Sequence, residues 1–244
     1  MRYVDNWQET TERLAALWLG KKLDRPCITI NAPSGRQVSW PTASSLEDRW
    51  IGPGYIAQAA QADLEGRWWG GEAVPSYLLM SGWVVCHASN PRFAENTIWF
   101  DHVDFDFEKP PALAFNPDDP GTRKHTACRD ALAQLAGKDG FLIGQPCILP
   151  ANDVLSMQMD TDKFLFNLVD HPEWMKQAIM QGAEANLQAF QYYKNRLSGK
   201  HDYWYGNSGW MPVWAPQPYL ATQSDVSCMI SPDMFDEFIV PELD

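Results

Sequence analysis

The chain has 244 residues, 45% of them apolar, and a formal charge of −12; this length and composition support a substantial buried core and exclude an intrinsically disordered chain. The acidic balance works against nucleic acid or anionic membrane as a partner, because both require a concentrated basic face. That leaves small-molecule chemistry or a protein partner, and since the opening MRYVDNWQETTERL lacks the apolar run of a signal peptide and no later stretch approaches a membrane span, a soluble, cytoplasmic protein is expected.

A first helix is predicted from about Asn6 to Leu19, with Gly20 placed to end it in a left-handed conformation. Pro26 to Ile30 is a short apolar, β-branched run closed by Asn31-Ala32-Pro33-Ser34-Gly35, the pattern of a buried strand entering a loop. A second helix starts at Pro53, passes through Ile56, Ala60 and Leu64, and ends near Trp69, where Gly70-Gly71 breaks it. Strands are predicted at Pro75 to Met80 and Asn96 to Phe100. Asn116 to Gly121 reads as a turn cluster, Thr122 to Ala136 as a helix closed by Gly137, and Gly140 to Gly144 as a strand bounded by glycines.

The longest helix begins at Pro172 and carries Met175, Ile179, Phe190, Tyr193 and Leu197 on or near one face, with Gly199 at its end. Asp225 to Ile230 alternates polar and apolar residues as a strand does, and Ser231-Pro232-Asp233 follows as a capped helix start. Phe235, Phe238 and Ile239 form its apolar stripe until Pro241 interrupts the pattern. Helices alternating with short apolar strands predict an α/β fold, a parallel sheet with helical crossovers, in a single domain spanning residues 1–244 without repeat or linker.

The five cysteines are widely spaced and odd in number, which indicates neither a disulfide framework nor a zinc knuckle. The nearest metal-like spacing is His125-Thr126-Ala127-Cys128, which could put two ligands on one helical face; two ligands do not make a site, and no metal is expected in this chain. Twelve tryptophans are a heavy load. Most are expected to fill core, but Trp204, Trp210 and Trp214 stand in a segment broken by glycine and proline, where aromatic rings can line a pocket.

Three stretches carry a family resemblance. Asp225-Val-Ser-Cys-Met-Ile-Ser231-Pro232-Asp233-Met-Phe235-Asp-Glu-Phe238-Ile-Val-Pro241 resembles the fourth-strand pattern of the uroporphyrinogen decarboxylase superfamily. Gly70-Gly71-Glu72-Ala-Val-Pro75-Ser-Tyr77, and Asn152-Asp153-Val-Leu leading to Asp170-His171-Pro172-Glu173-Trp174, resemble its large uncharacterised branch. The resemblance implies a (β/α)8 TIM barrel with substrates bound at the C-terminal ends of the strands, of which this sequence would hold the first half, truncated after about the fourth strand. A half barrel leaves open edges and an apolar inner face, so a homo-oligomer is expected.

The superfamily implies two chemistries. Decarboxylation of tetrapyrrole acetates calls for arginines after the first strand and an aspartate after the second; here Arg25 and Arg36 flank Asn31, and Ser76-Tyr77-Leu78-Leu79-Met80 supplies no aspartate. Methyl transfer with a corrinoid or thiol partner calls for zinc to activate the thiol, and the family's ligands lie beyond the fourth strand, so zinc would belong to a full-length parent and this chain alone would be inactive, with no cofactor. Without the resemblance, a barrel glycosidase using Glu72 and Asp153 as acid and base or nucleophile is an alternative, as is a noncatalytic binding or assembly module. The candidate site is the set placed at predicted strand ends: Glu72, Asp153 and Asp225 as catalytic groups, Asn31 and Tyr77 for substrate, and Trp210 and Trp214 as a lid. In ordinary structural terms Glu72 would be a surface loop carboxylate and Asp153 a helix cap.

Overall fold

A computed structural model of the chain describes residues 1–79, 90–137, 140–144, 148–197, 213–217, 219 and 223–243. Along the chain run α1 (Trp7–Trp18), β1 (Thr29–Pro33), α2 (Leu46–Ile51), α3 (Pro53–Gly66), β2 (Arg67–Gly71), β3 (Ser76–Tyr77), β4 (Pro91–Phe93), β5 (Ile98–Phe100), α4 (Pro120–Ala136), β6 (Leu142–Ile143), α5 (Ala151–Met159), α6 (Thr161–Asp170), α7 (Pro172–Leu197), α8 (Pro232–Phe238) and α9 (Val240–Leu243), with a 3-10 turn at Asp225–Met229 before α8. The chain divides into two compact units that alternate in sequence. The first takes Met1–Ser81, Lys124–Cys147 and Tyr193–Ala221, and the second takes Gly82–Arg123, Ile148–Tyr192 and Thr222–Asp244.

In the first unit, α1 ends where Gly20 adopts φ +64 and the Gly20 and Lys21 N–H groups reach back to the Leu17 and Ala16 carbonyls, a glycine-dependent helix stop. β1 and β2 pair antiparallel, Thr29 opposite Gly71 and Pro33 opposite Arg67. Gly71 is required here: it has φ +63, and a Cβ on it would stand 2.1 Å from the Ile28 carbonyl oxygen. α3 buries Ile56, Ala59, Ala60 and Leu64. β3 and β6 form a parallel pair, Ser76 opposite Leu142 and Tyr77 opposite Ile143. Leu14, Val74 and Leu142 make a small core with Trp7, Cys27 and Trp214 against it.

In the second unit, β4 and β5 form a short antiparallel pair. The Asp119 carboxylate accepts the Gly121 and Thr122 N–H groups at the start of α4. A larger apolar core joins Leu155 and Met159 of α5, Phe164 and Leu168 of α6, Met175 and Ile179 of α7, and Phe238 and Ile239, with Phe105 and Phe107 against it. α8 starts as its sequence predicts, with Ser231 Oγ accepting the Met234 N–H at 3.2 Å.

Four expectations are corrected. Asp225–Met229 is a 3-10 turn, because its first N–H groups are taken by the Asp153 carboxylate and Ser227 bonds back to the Ser224 carbonyl, which leaves no ladder to join. The run around β1 is not a buried parallel strand: it pairs antiparallel, and Ile28 and Ile30 are 51% and 45% exposed. Trp68 and Trp69 extend β2 and not α3, in line with the strand preference of aromatic residues. The strands therefore form three two-stranded sheets, of which only β3–β6 is parallel, in place of four sequential parallel strands. The described residues combine helices with small sheets and contain no closed barrel. Among them no helix is long and apolar enough to cross a membrane.

Candidate functional site

Glu72 follows β2 in the first unit and is 1% exposed. The turn at Gly71 brings it onto cations from two directions: Arg13 on α1 donates Nε to Oε1 at 2.7 Å, and Arg25 places Nη2 2.7 Å from Oε1 and Nη1 3.0 Å from Oε2. The Ile28 N–H donates to Oε2 at 2.7 Å. Arg13 is held in turn by Asp24 at 2.5 Å and by the Arg25 carbonyl at 3.0 Å. Burial by itself would raise the Glu72 pKa; Arg25, the Ile28 N–H and Arg13 outweigh it and hold the carboxyl at about 2. A carboxylate so fixed tethers the segments around Arg13, Arg25 and Ile28, and it is a poor proton donor near neutral pH.

Asp153 and Asp225 meet in the second unit, but unequally. Asp153, 4% exposed on α5, accepts the Asp225 N–H at 2.8 Å and the Val226 N–H at 3.3 Å, whereas Asp225 takes part through its backbone and leaves its side chain outward. Burial raises the Asp153 pKa, against the backbone bonds that lower it, and the Asp225 charge adds to the rise. Next to it, Glu242 of α9 occupies the N-terminus of α5: its carboxylate accepts the Ala151 N–H, the Asn152 N–H at 3.3 Å and Asn152 Nδ2 at 2.7 Å. Ser224 Oγ donates to Asn152 Oδ1 at 3.0 Å. Glu242 is likewise raised, first by burial and also by the Asp153 charge. Sequence reasoning missed Glu242; a glutamate 90 residues from its partner carries no local signal.

The remaining expected residues do not converge. Asn31 is exposed in β1, opposite Trp69. Tyr77 lies in β3, and burial pushes its phenol upward. Trp214 is packed against the small core, edge-on to Trp7 at 6.2 Å, and its carbonyl accepts the Trp18 indole N–H at 3.0 Å. Trp210 lies outside the described residues. No group of three or more His, Cys, Asp and Glu among the described residues is placed to hold a metal.

A second cluster in the first unit was not anticipated as a binding group. His125 and its neighbour Thr126 sit about one turn before Arg129 on α4, at 0%, 6% and 1% exposure. Arg129 Nη1 donates to the Gly144 carbonyl at 2.8 Å, while its Nε and Nη2 are buried without a hydrogen-bond partner. Both ring nitrogens of His125 and the Thr126 hydroxyl are likewise buried without one. The Tyr193 ring contacts both His125 and Arg129, 5.0 Å edge-on from the imidazole and 5.3 Å from the guanidinium carbon. Cys128, the other half of the H-x-x-C spacing, is a buried thiol pushed up to about 12, chiefly by burial. The available signal was His125 and Arg129 at i and i+4 in an otherwise core-facing pattern. The chain matches no family model, no curated protein sequence and no solved structure.

Proposed function

We propose that this chain is a uroporphyrinogen decarboxylase-like α/β protein that acts on a small molecule, and that the chemistry of its line is methyl transfer and not tetrapyrrole decarboxylation. The observation that carries the choice is the engagement of Arg13 and Arg25 with Glu72. A tetrapyrrole bearing many carboxylates needs guanidinium groups free to fork onto them, and Arg25, which precedes the first strand, is already committed to Glu72 together with Arg13 of α1. The parallel pair β3–β6 supports the α/β barrel-type resemblance, since parallel strands need a crossover and this one, which passes through β4 and β5, includes the helix α4.

The described residues do not fit the zinc that the superfamily uses to activate a thiol, so no step is assigned to a metal here. The role left to this chain is recognition of substrate. Equilibrium dialysis of the chain against methylcobalamin and, separately, against uroporphyrin tests the reading. Retention of methylcobalamin with no retention of uroporphyrin is expected; saturable retention of uroporphyrin alone would reverse it.

A further inference from the structure

We infer that His125 and Arg129 of α4 form a binding point for the carboxylate group of a small organic ligand, at the carboxyl ends of the parallel strands β3 and β6. The inference stands on the first unit alone and does not require the methyl-transfer reading.

One edge of the Arg129 guanidinium, Nε and Nη2, is left without a partner. Arg196 shows how this chain uses that edge: its Nε and Nη2 donate to the two oxygens of Asp130 at 3.0 and 2.5 Å, a bidentate fork on a carboxylate. In Arg129 the same two nitrogens are buried and unpartnered, although Nη1 is anchored on the Gly144 carbonyl. Asp130, the carboxylate next in sequence, is already taken by Arg196. Burial lowers the Arg129 pKa only to about 10, so the group is cationic at neutral pH. A buried cation with an empty fork is costly, and buried polar groups in native proteins are nearly always satisfied. An anion that enters only when bound resolves that cost.

His125 adds direction. Burial, and next the Arg129 charge, hold its imidazole well below the ordinary value, so the ring is neutral and carries one N–H donor. That donor faces no partner and shares the Tyr193 ring with the guanidinium. Two guanidinium donors and one imidazole donor suit a planar two-oxygen group. The location agrees: Gly144 directly follows β6, and its N–H donates to the Tyr77 carbonyl at 2.9 Å, so Arg129 is fastened where the parallel strands end. Open α/β sheets bind their ligands at that edge.

The test titrates the full chain with acetate, succinate and citrate, and separately with inorganic phosphate, each against sodium chloride at equal ionic strength. Two signals are followed: the thermal unfolding midpoint and the imidazole resonances of protein labelled with 15N-histidine, with His125 assigned among the five histidines by its loss in His125→Gln. At least one carboxylate is expected to raise the midpoint and shift the His125 resonance saturably. Arg129→Met is expected to weaken both effects by at least about tenfold, and in carboxylate-free buffer to be at least as stable as the wild type, since it removes an uncompensated buried charge. If no carboxylate differs from chloride, if wild type and Arg129→Met respond alike, or if only phosphate saturates, the inference fails. Should Arg129→Met not fold, the wild-type comparison of carboxylates with chloride at the His125 resonance decides by itself.

Discussion

Glu72 and Asp153 carry the same functional group, are buried to a similar degree, and have opposite electrostatic fates. Glu72 is ringed by two guanidinium groups and an N–H, so its charge is held in place; Asp153 meets two N–H groups and a neighbouring acidic pair, so burial prevails and its pKa rises. The signs for stability follow. Glu72 is depressed in the folded state, so its contribution is complete above its ordinary value and is lost as pH falls from about 4.5 toward about 2. Asp153 and Glu242 are raised, so they favour the folded state most at low pH and cost stability as pH rises past the ordinary carboxylate range. Glu72→Gln is expected to lose about 2–4 kcal/mol at pH 7, less than a fully buried pair because Arg25 is half exposed, and to flatten the acid limb of a urea-midpoint titration. Asp153→Asn keeps an oxygen for the Asp225 and Val226 N–H groups and is expected to stay within about 1 kcal/mol of wild type at pH 7, whereas Asp153→Ala, which strips both bonds, loses about 2 kcal/mol. Equal losses in the two Asp153 variants would show that the charge, and not the acceptor, matters.

At the scale of elements, two junctions are testable. Ser231→Ala removes the cap of α8 and is expected to cost about 1 kcal/mol in chemical denaturation. Asp160, between α5 and α6, has φ +77, the one described non-glycine residue in the left-handed region. Asp160→Gly relieves strain of about 1–3 kcal/mol against an unfolded-state penalty of about 0.5–1 kcal/mol, so the melting temperature should rise by about 2–4 °C; a fall would mean that the aspartate makes a compensating contact. These junctions also show what the sequence made legible. Gly20, Ser231 and Pro232 act within one turn of themselves, so the end of α1 and the start of α8 could be read directly. Asp225 to Ile230 could not, because its alternation fits a strand as well as a turn, and the choice is made by Asp153, 72 residues away. The run at β1 looked buried by composition, but its apolar side chains lie on a two-stranded ribbon with one face open.

At the scale of the whole molecule, the candidate site was the least legible part, since it was inferred from a barrel mouth that requires strands the described residues do not form. Carboxylates were visible as letters, but whether each was clamped, like Glu72, or pressed toward neutrality, like Asp153, depends on distant partners. The unpartnered nitrogens of His125 and Arg129 on α4 could only appear once burial was known. Elemental analysis of protein purified without chelator is expected to find less than about 0.1 zinc per chain, since the described residues assemble no ligand set of three; stoichiometric zinc would demand ligands from outside them. The alternation of the two units along the sequence has a practical consequence. The chain passes from one to the other at 81/82, 123/124, 147/148, 192/193 and 221/222, and two of these passages fall inside α4 and α7. Neither unit can be excised as a continuous peptide, and a protease that nicks an exposed loop between residues 82 and 221 leaves two fragments that each hold pieces of both, so co-elution of those fragments under native conditions and their separation only in denaturant is the expected behaviour.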